Sequence, residues 1–360
     1  MGRTLRIGIS FWGFLKHPSD HTEVETPDGL RGERAFFVDE LLTRGHTVIQ
    51  LQKRREAWGY SCVRQSDGCE FFVHDDETGF PDLDVLFVEW RWRIPHKDSA
   101  DWDRQCALLD HYSRAGTPII VQDTDLKITA DDEARWPSMV IGDPCLRPKA
   151  LTRSRIQMPF CNVFVQPSSP PEDVVRYTYV GNNYERQEQF ERYYAEPAEQ
   201  LRVAGIQTTV HGNWLTKSPE RMHPRAIVQQ YKHVAFAPRL AYRDVHGILV
   251  SSLVVCHITK SEYARHGNIT VRYFEALTAG VPALIPVESA LMRDVGDSAG
   301  LMVGRPSDVI RKVSNLANMT AEERRILVRS QENALKCLAD FSPGHKADLV
   351  EAVARKEIVA

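Results

Sequence analysis

The residues from Leu253 to Pro286 read LVVCHITKSEYARHGNITVRYFEALTAGVPALIP. An apolar strand ends at Thr259, and a polar loop carries Lys260 and His266. Gly267-Asn268 is expected to open a helix that stops at Gly280 before the strand VPALIP. A helix that begins on glycine after a parallel strand turns free backbone N–H groups and its positive end outward, which is how a diphosphate is held. Gly267, Asn268 and Ile269 would face that anion, with Lys260 beside them. Glu275, one and a half to two turns into the helix, is placed to hydrogen-bond ribose hydroxyls next to the phosphates. Arg272, one turn earlier, is a further phosphate ligand or half of a surface ion pair.

The first half of the chain carries acids and bases. The strand IIVQ runs into Asp123-Thr124-Asp125, at the carboxyl edge where α/β sheets place ligands. Such a pair binds a divalent metal that neutralises a diphosphate, supplies the base that deprotonates an attacking hydroxyl, or caps the next helix. Glu89, ending the strand DVLFVE, is the next candidate base. The connection over residues 13–32 exceeds an ordinary βα loop, and Asp20, His21 and the adjoining Glu33 are acid or base candidates there. Trp90-Arg91-Trp92-Arg93 interleaves aromatic and basic residues, and Arg147, Lys149, Arg153 and Arg155 add four cations. Such a patch stacks on splayed nucleic-acid bases or is a solvated rim.

Alternating strands and helices must position these groups. Leu5–Ser10, Thr47–Leu51, Asp84–Glu89 and Pro118–Gln122 read as buried strands, with helical faces at Phe36 to Leu42 and Trp102 to Tyr112 between them. This order implies a parallel, doubly wound sheet. Proline, serine and arginine collect between Asp143 and Pro171, where a linker and hinge are expected. A second series follows, with strands at Arg176–Val180, Gln207–His211, Val234–Pro238, Leu253–Ile258 and Val281–Pro286. The expected domains are 1–165, 172–320 and a pair of helices over 321–360, opened by the capping box Thr320-Ala-Glu-Glu323, that crosses back onto the first domain. The fold class is α/β, two Rossmann-like domains with a cleft between them as the natural ligand site.

The composition narrows the function classes. With 360 residues, 45 Lys+Arg against 48 Asp+Glu and a net charge of −3, a protein that coats nucleic acid by phosphate neutralisation is disfavoured. Neither a signal peptide nor a membrane-spanning stretch is evident, so a cytoplasmic protein without membrane insertion is expected. Seven scattered cysteines without a C-x-x-C pair, and 13 histidines without ligand spacing, argue against a metal site.

Phe274-Glu275-Ala276-Leu277-Thr278-Ala279-Gly280-Val281-Pro282-Ala283-Leu284 resembles the F-E-A-L-x-x-G-x-P-x-[LI] segment of GT-B glycosyltransferases. Tyr179-Val-Gly-Asn-Asn-Tyr-Glu-Arg186 is similar to the opening strand of the nucleotide-sugar domain in CgeB-like and bacteriophage members. The resemblance implies a GT-B fold and a nucleotide-diphosphate sugar donor, a UDP-sugar in first place, with no metal strictly required. It further implies Glu275 on the ribose, Gly181 and Asn182 close to the donor, Arg186 on the diphosphate, and Trp214 beside the base or in the core. The glycine-containing loop over residues 13–32 would face donor and acceptor. Gly267 stands eight positions before Glu275, where retaining members often carry a glutamate, which leaves the stereochemical outcome open.

These readings converge on transfer of a sugar to an acceptor hydroxyl. Asp123 is the expected base and Asp125, Glu89 and Asp20 are its alternates; the acceptor is DNA, protein or a small molecule. A nucleotide-sugar epimerase and a catalytically silent nucleotide-sugar binder are the rivals.

Overall fold

A strand buried on both faces of a sheet needs apolar side chains at every position, whereas its alternate residues serve different cores. Val85 and Phe87 pack with Ile7, Ile9, Phe37, Leu41 and Ile120 on one face, and Leu86 and Val88 with Ile49, Leu109, Tyr112 and Ile141 on the other. The structure, a computed structural model, describes residues 3–11, 30–51, 62–64, 70–74, 79–93, 100–163, 174–212, 214 and 231–360. Asp20 and His21 lie outside the described residues. The chain forms two compact units, residues 1–163 with 340–360, and residues 164–339.

The first unit holds strands β1 (Arg6–Ser10), β2 (Thr47–Leu51), β3 (Cys62–Arg64), β4 (Glu70–His74), β5 (Val85–Glu89), β6 (Ile119–Gln122), β7 (Met139–Asp143) and β8 (Ile156–Gln157). They lie in the order β3-β4-β2-β1-β5-β6-β7-β8, all parallel except the β3–β4 pair. The second unit holds β9 (Arg176–Val180), β10 (Gln207–His211), β11 (Val234–Ala237), β12 (Val254–Cys256), β13 (Ala283–Pro286) and β14 (Met302–Val303), in the parallel order β11-β10-β9-β12-β13-β14. Among the described residues no helix is long and apolar enough to cross a membrane.

Two expectations change. The stretch from Asp143 to Val163 is not a linker but part of the first unit. A buried guanidinium holds it there: Arg155 donates to Asp123 Oδ2 (3.0 Å) and Glu133 Oε1 (3.2 Å) and lies 3.7 Å from Asp143 Oδ2. Asp143 in turn accepts from the Cys145 and Lys149 N–H groups.

The expected C-terminal pair of helices also divides. Helix Ala321–Leu338, capped by Thr320 and Glu323, belongs to the second unit, where the Gln331 amide makes two hydrogen bonds to the Ala283 backbone at 2.7 and 3.0 Å. Only Pro343–Ala354 joins the first unit, burying Ala347, Val350 and Val353 against Ile7, Phe87 and Ile120.

That last helix is tied in by charge. Lys346 Nζ, buried, donates to Glu33 Oε1 and to Gln122 Oε1 (2.8 Å) and sits 4.8 and 5.0 Å from the Phe37 and Phe87 ring centres. Glu351 accepts from Arg44 Nη1 (2.8 Å), lies 3.1 Å from His46 Nε2 and pairs with Arg355 (3.0 Å). Removing one partner of a buried pair strands the other. Lys346→Met is therefore expected to cost about 3–5 kcal/mol in denaturant unfolding, and the double variant Lys346→Met/Glu33→Leu to recover most of it. The cations around Glu351 hold its carboxyl down to about 2, so this contribution is complete above the unfolded-state value and is lost as pH falls toward 2. Glu351→Gln should remove that share of the acid-induced loss of stability.

Candidate functional site

In the second unit the strand order reverses at β9, which has β10 on one side and β12 on the other. In an open α/β sheet the loops leaving such neighbours run apart, and the crevice this makes outside their carboxyl ends is where ligands bind. The β9–β12 ladder covers only Val254↔Tyr177 and Val255↔Thr178. Beyond it, Tyr194, on the π-turn Glu191–Ala195, accepts from the Cys256 N–H (2.7 Å) and donates to the Thr178 carbonyl (3.0 Å). A single hydroxyl thus satisfies peptide groups on both parting strands.

The loops after β9 and β10 close on each other. Gly181 N–H donates to the His211 carbonyl (2.8 Å), and a Cβ on Gly212 would stand 2.0 Å from the Gly181 oxygen, so only glycine fits there. Trp214 Nε1 donates to that same oxygen (2.9 Å), and its ring packs 4.3 Å from Phe190 and 6.0 Å from Tyr179. Trp214 is therefore core, not a platform for a base: the aromatic cluster buries its ring and the loop backbone takes its N–H.

Around the crevice stand the expected cations. Arg186 Nη1 donates to the Tyr179 hydroxyl (3.0 Å) and the Asn182 carbonyl (2.9 Å), fixing the guanidinium at the start of helix Gln187–Phe190. From that helix, buried Gln189 accepts the Thr259 N–H (2.8 Å), which sets the backbone that carries Lys260. Gly267 does not open a helix. It adopts φ +70° and ends the short helix Ser261–His266, whose last turn carries Arg265 and His266. The following helix, Val271–Thr278, starts at Thr270 with no side-chain cap. Asn268 lies just before it, buried, with no partner for its Oδ1 or its Nδ2. Ile269 is buried beside it. Arg272 pairs with Glu275 Oε2 one turn on, so both face the same side of the helix. Burial pushes the Glu275 carboxyl up and Arg272 draws it back.

One residue escaped the sequence reading. His257 follows β12, its N–H donating to Leu284 (2.9 Å), its ring 5.2 Å from that of Tyr273, and its Nε2 enclosed without a partner. Burial and the Arg186 charge hold it down to about 3, so the imidazole is neutral. It was hidden because it reads as an interruption in an apolar run.

In the first unit the acid candidates separate. Asp123 is fully buried: Oδ1 accepts from Lys127 N–H (2.7 Å), Oδ2 from Ile128 N–H (3.0 Å) and from Arg155. Burial pushes its carboxyl up to about 6, yet every contact is internal, so it shapes a turn and is not exposed to an acceptor or a metal. Glu89 is likewise consumed, in a two-point pair with Arg34 at 2.6 and 2.7 Å. Asp125, two residues beyond Asp123, is half-buried in the turn that leaves the carboxyl edge. Glu33 is buried with Lys346, and its Oε2 lacks a partner. Trp90, Arg91 and Arg155 are interior, which removes three of the eight aromatic and basic residues from any nucleic-acid surface; Trp90 packs edge-on against Trp102 and Trp136. Among the described residues no group of three or more His, Cys, Asp or Glu is placed to hold a metal ion.

Residues 186–352 match the family model described as glycosyl transferase-like. No curated protein matches the sequence. Among solved structures, the chain is similar to the DNA-modifying enzyme β-glucosyltransferase, studied with and without its substrate uridine diphosphoglucose (TM-score 0.59, 14% identity, 97% of this chain and 98% of that one). It is also similar to the T4 phage enzyme in complex with UDP and Mn2+ (TM-score 0.61, 14% identity, 97% and 99%). A third likeness is to sucrose-phosphate synthase from Thermosynechococcus elongatus (TM-score 0.61, 13% identity, 99% of each). At such identities these likenesses establish the fold. Residues 186–352 thus resemble a glycosyl transferase-like domain in sequence, and the chain has the GT-B fold.

Proposed function

We propose that the chain transfers a sugar from a UDP-sugar to an acceptor hydroxyl, the second unit binding the donor and the first supplying the base. The observation that carries this reading is the set of polar groups at the carboxyl ends of β9 and β12: Arg186, Lys260, unpaired Asn268 and the uncapped start of Val271–Thr278. Cations and free amide N–H groups there meet the diphosphate and stabilise the charge that develops as it departs. Gly181 and Asn182 let backbone approach the donor. Glu275 uses its Oε1 for the ribose hydroxyls while Arg272 keeps Oε2 in place. UDP is favoured as the nucleotide because the β-glucosyltransferase relatives are described with uridine diphosphoglucose or UDP. Asp123 and Glu89 are fully buried, whereas Asp125 is half-buried at the carboxyl edge; Asp125 is the base we assign, and Asp20 is the alternate.

For the acceptor, the interior position of Trp90, Arg91 and Arg155 weakens the patch that pointed to DNA. A hydroxyl on a protein or small molecule is the leading choice, and hydroxymethylated phage DNA is the competing arm of the test.

UDP-glucose should raise the unfolding temperature in EDTA, whereas GDP-, ADP- and dTDP-sugars should not. Glu275→Ala should weaken UDP-sugar binding about tenfold or more, and Asp125→Asn should keep the shift but abolish transfer. No shift with any nucleotide sugar, with or without Mn2+, would overturn the reading. Turnover of the sugar nucleotide without an acceptor would make the chain an epimerase, and binding without transfer or donor hydrolysis a silent binder.

A further inference from the structure

The alternation of β12 divides its side chains. Val254, Cys256 and Ile258 enter the core beneath the sheet, whereas His257 points to the opposite face, under helix Val271–Thr278, where Tyr273 meets its ring edge to face at 5.2 Å and 69°. A histidine kept only for packing is expected to satisfy both ring nitrogens, because an enclosed polar atom without a partner costs about 1–3 kcal/mol. His257 Nε2 has none. Arg186, whose charge is felt at the ring, also leaves its Nε enclosed and unpaired, as do both polar atoms of the Asn268 side chain. Three side chains, one after β9 and two between β12 and helix Val271–Thr278, therefore hold unspent hydrogen-bonding capacity, beside a helix start that no side chain caps.

We propose that His257 Nε2 donates a hydrogen bond to the diphosphate of a bound UDP-sugar, as a ligand-contacting residue of the donor site. The inference rests on the functional reading above and adds to it a residue that neither the motif nor the cations indicate. The physical case for histidine is electrostatic. A second cation packed against Arg186 without ligand would repel it, whereas a neutral imidazole adds an N–H donor and no charge. Burial and Arg186 keep the ring in that neutral form. A neutral ring carries one proton, and a phosphate oxygen opposite Nε2 selects the tautomer that places it there.

The test compares UDP with uridine, which lacks the phosphates, by calorimetric titration of the full chain. His257→Leu is expected to lower UDP affinity about tenfold to a hundredfold and to leave uridine affinity unchanged within about twofold. His257→Gln, which returns an amide N–H to nearly the same place, should restore most of the UDP affinity. Thermal unfolding without ligand reports whether each variant folds, and His257→Ser replaces His257→Leu if the larger apolar side chain is not accepted. Unchanged UDP affinity in the folded leucine or serine variant overturns the inference. An equal loss for UDP and uridine also overturns it, because it marks a structural role. Failure of the unaltered chain to bind UDP overturns the functional reading itself, and this inference with it.

Discussion

Peptide groups at the end of a parallel sheet must find partners once neighbouring strands part, and in the second unit that demand falls on one tyrosine. Tyr194 joins Cys256 and Thr178 where the β9–β12 ladder stops, and its ring lies flat on Tyr177 with centres 4.4 Å apart. The π-turn that carries it places the hydroxyl between the strands. Without that plug the two strands would either zip further and close the crevice or leave buried donors unpaired. Gln189 does the same one step along, at Thr259. The crevice and the hydrophobic core are thus two sides of one arrangement, with Arg186, His257 and Lys260 hanging from backbone that the core holds still.

Much of this was legible in the residues. Strands buried on both faces announce themselves as apolar runs, which is why β1, β2, β5, β6, β12 and β13 fall where the composition places them. The five residues of β7 stayed hidden because they abut the proline- and arginine-rich stretch, whose Arg155 is drawn inward by acids far away in sequence. Gly267 shows a different limit. A glycine between two helical stretches serves equally as the end of one or the start of the next, and Arg265 and His266 before it were the signal for an end. Asp123 looked catalytic because it follows a strand, yet its fate depends on Arg155, 32 residues on. Long-range charge pairing leaves no local periodicity to read.

The first unit spends its buried charges on shape. Arg34 with Glu89, Lys346 with Glu33, and Arg155 with its acids are each enclosed, and in each the partners come from different elements. Such pairs contribute little net stability compared with apolar residues of the same size, but a displaced element would leave a bare charge behind. They act as keys that accept one arrangement of helix and sheet. Asp125 emerges from a turn whose path Asp123 fixes through two backbone N–H groups, so a buried carboxylate governs where its neighbour stands.

The tether at Lys346 also bears on how the protein is made. The second unit is one continuous stretch, residues 164–339, whereas the first is completed only by residues 340–360. During synthesis from the amino terminus, Glu33 leaves the ribosome long before the lysine that neutralises it, and the core around Phe87 waits for Val350 and Val353. The second unit can therefore consolidate on the nascent chain while its older companion is still open. The unit begun first is the one whose residues are completed last.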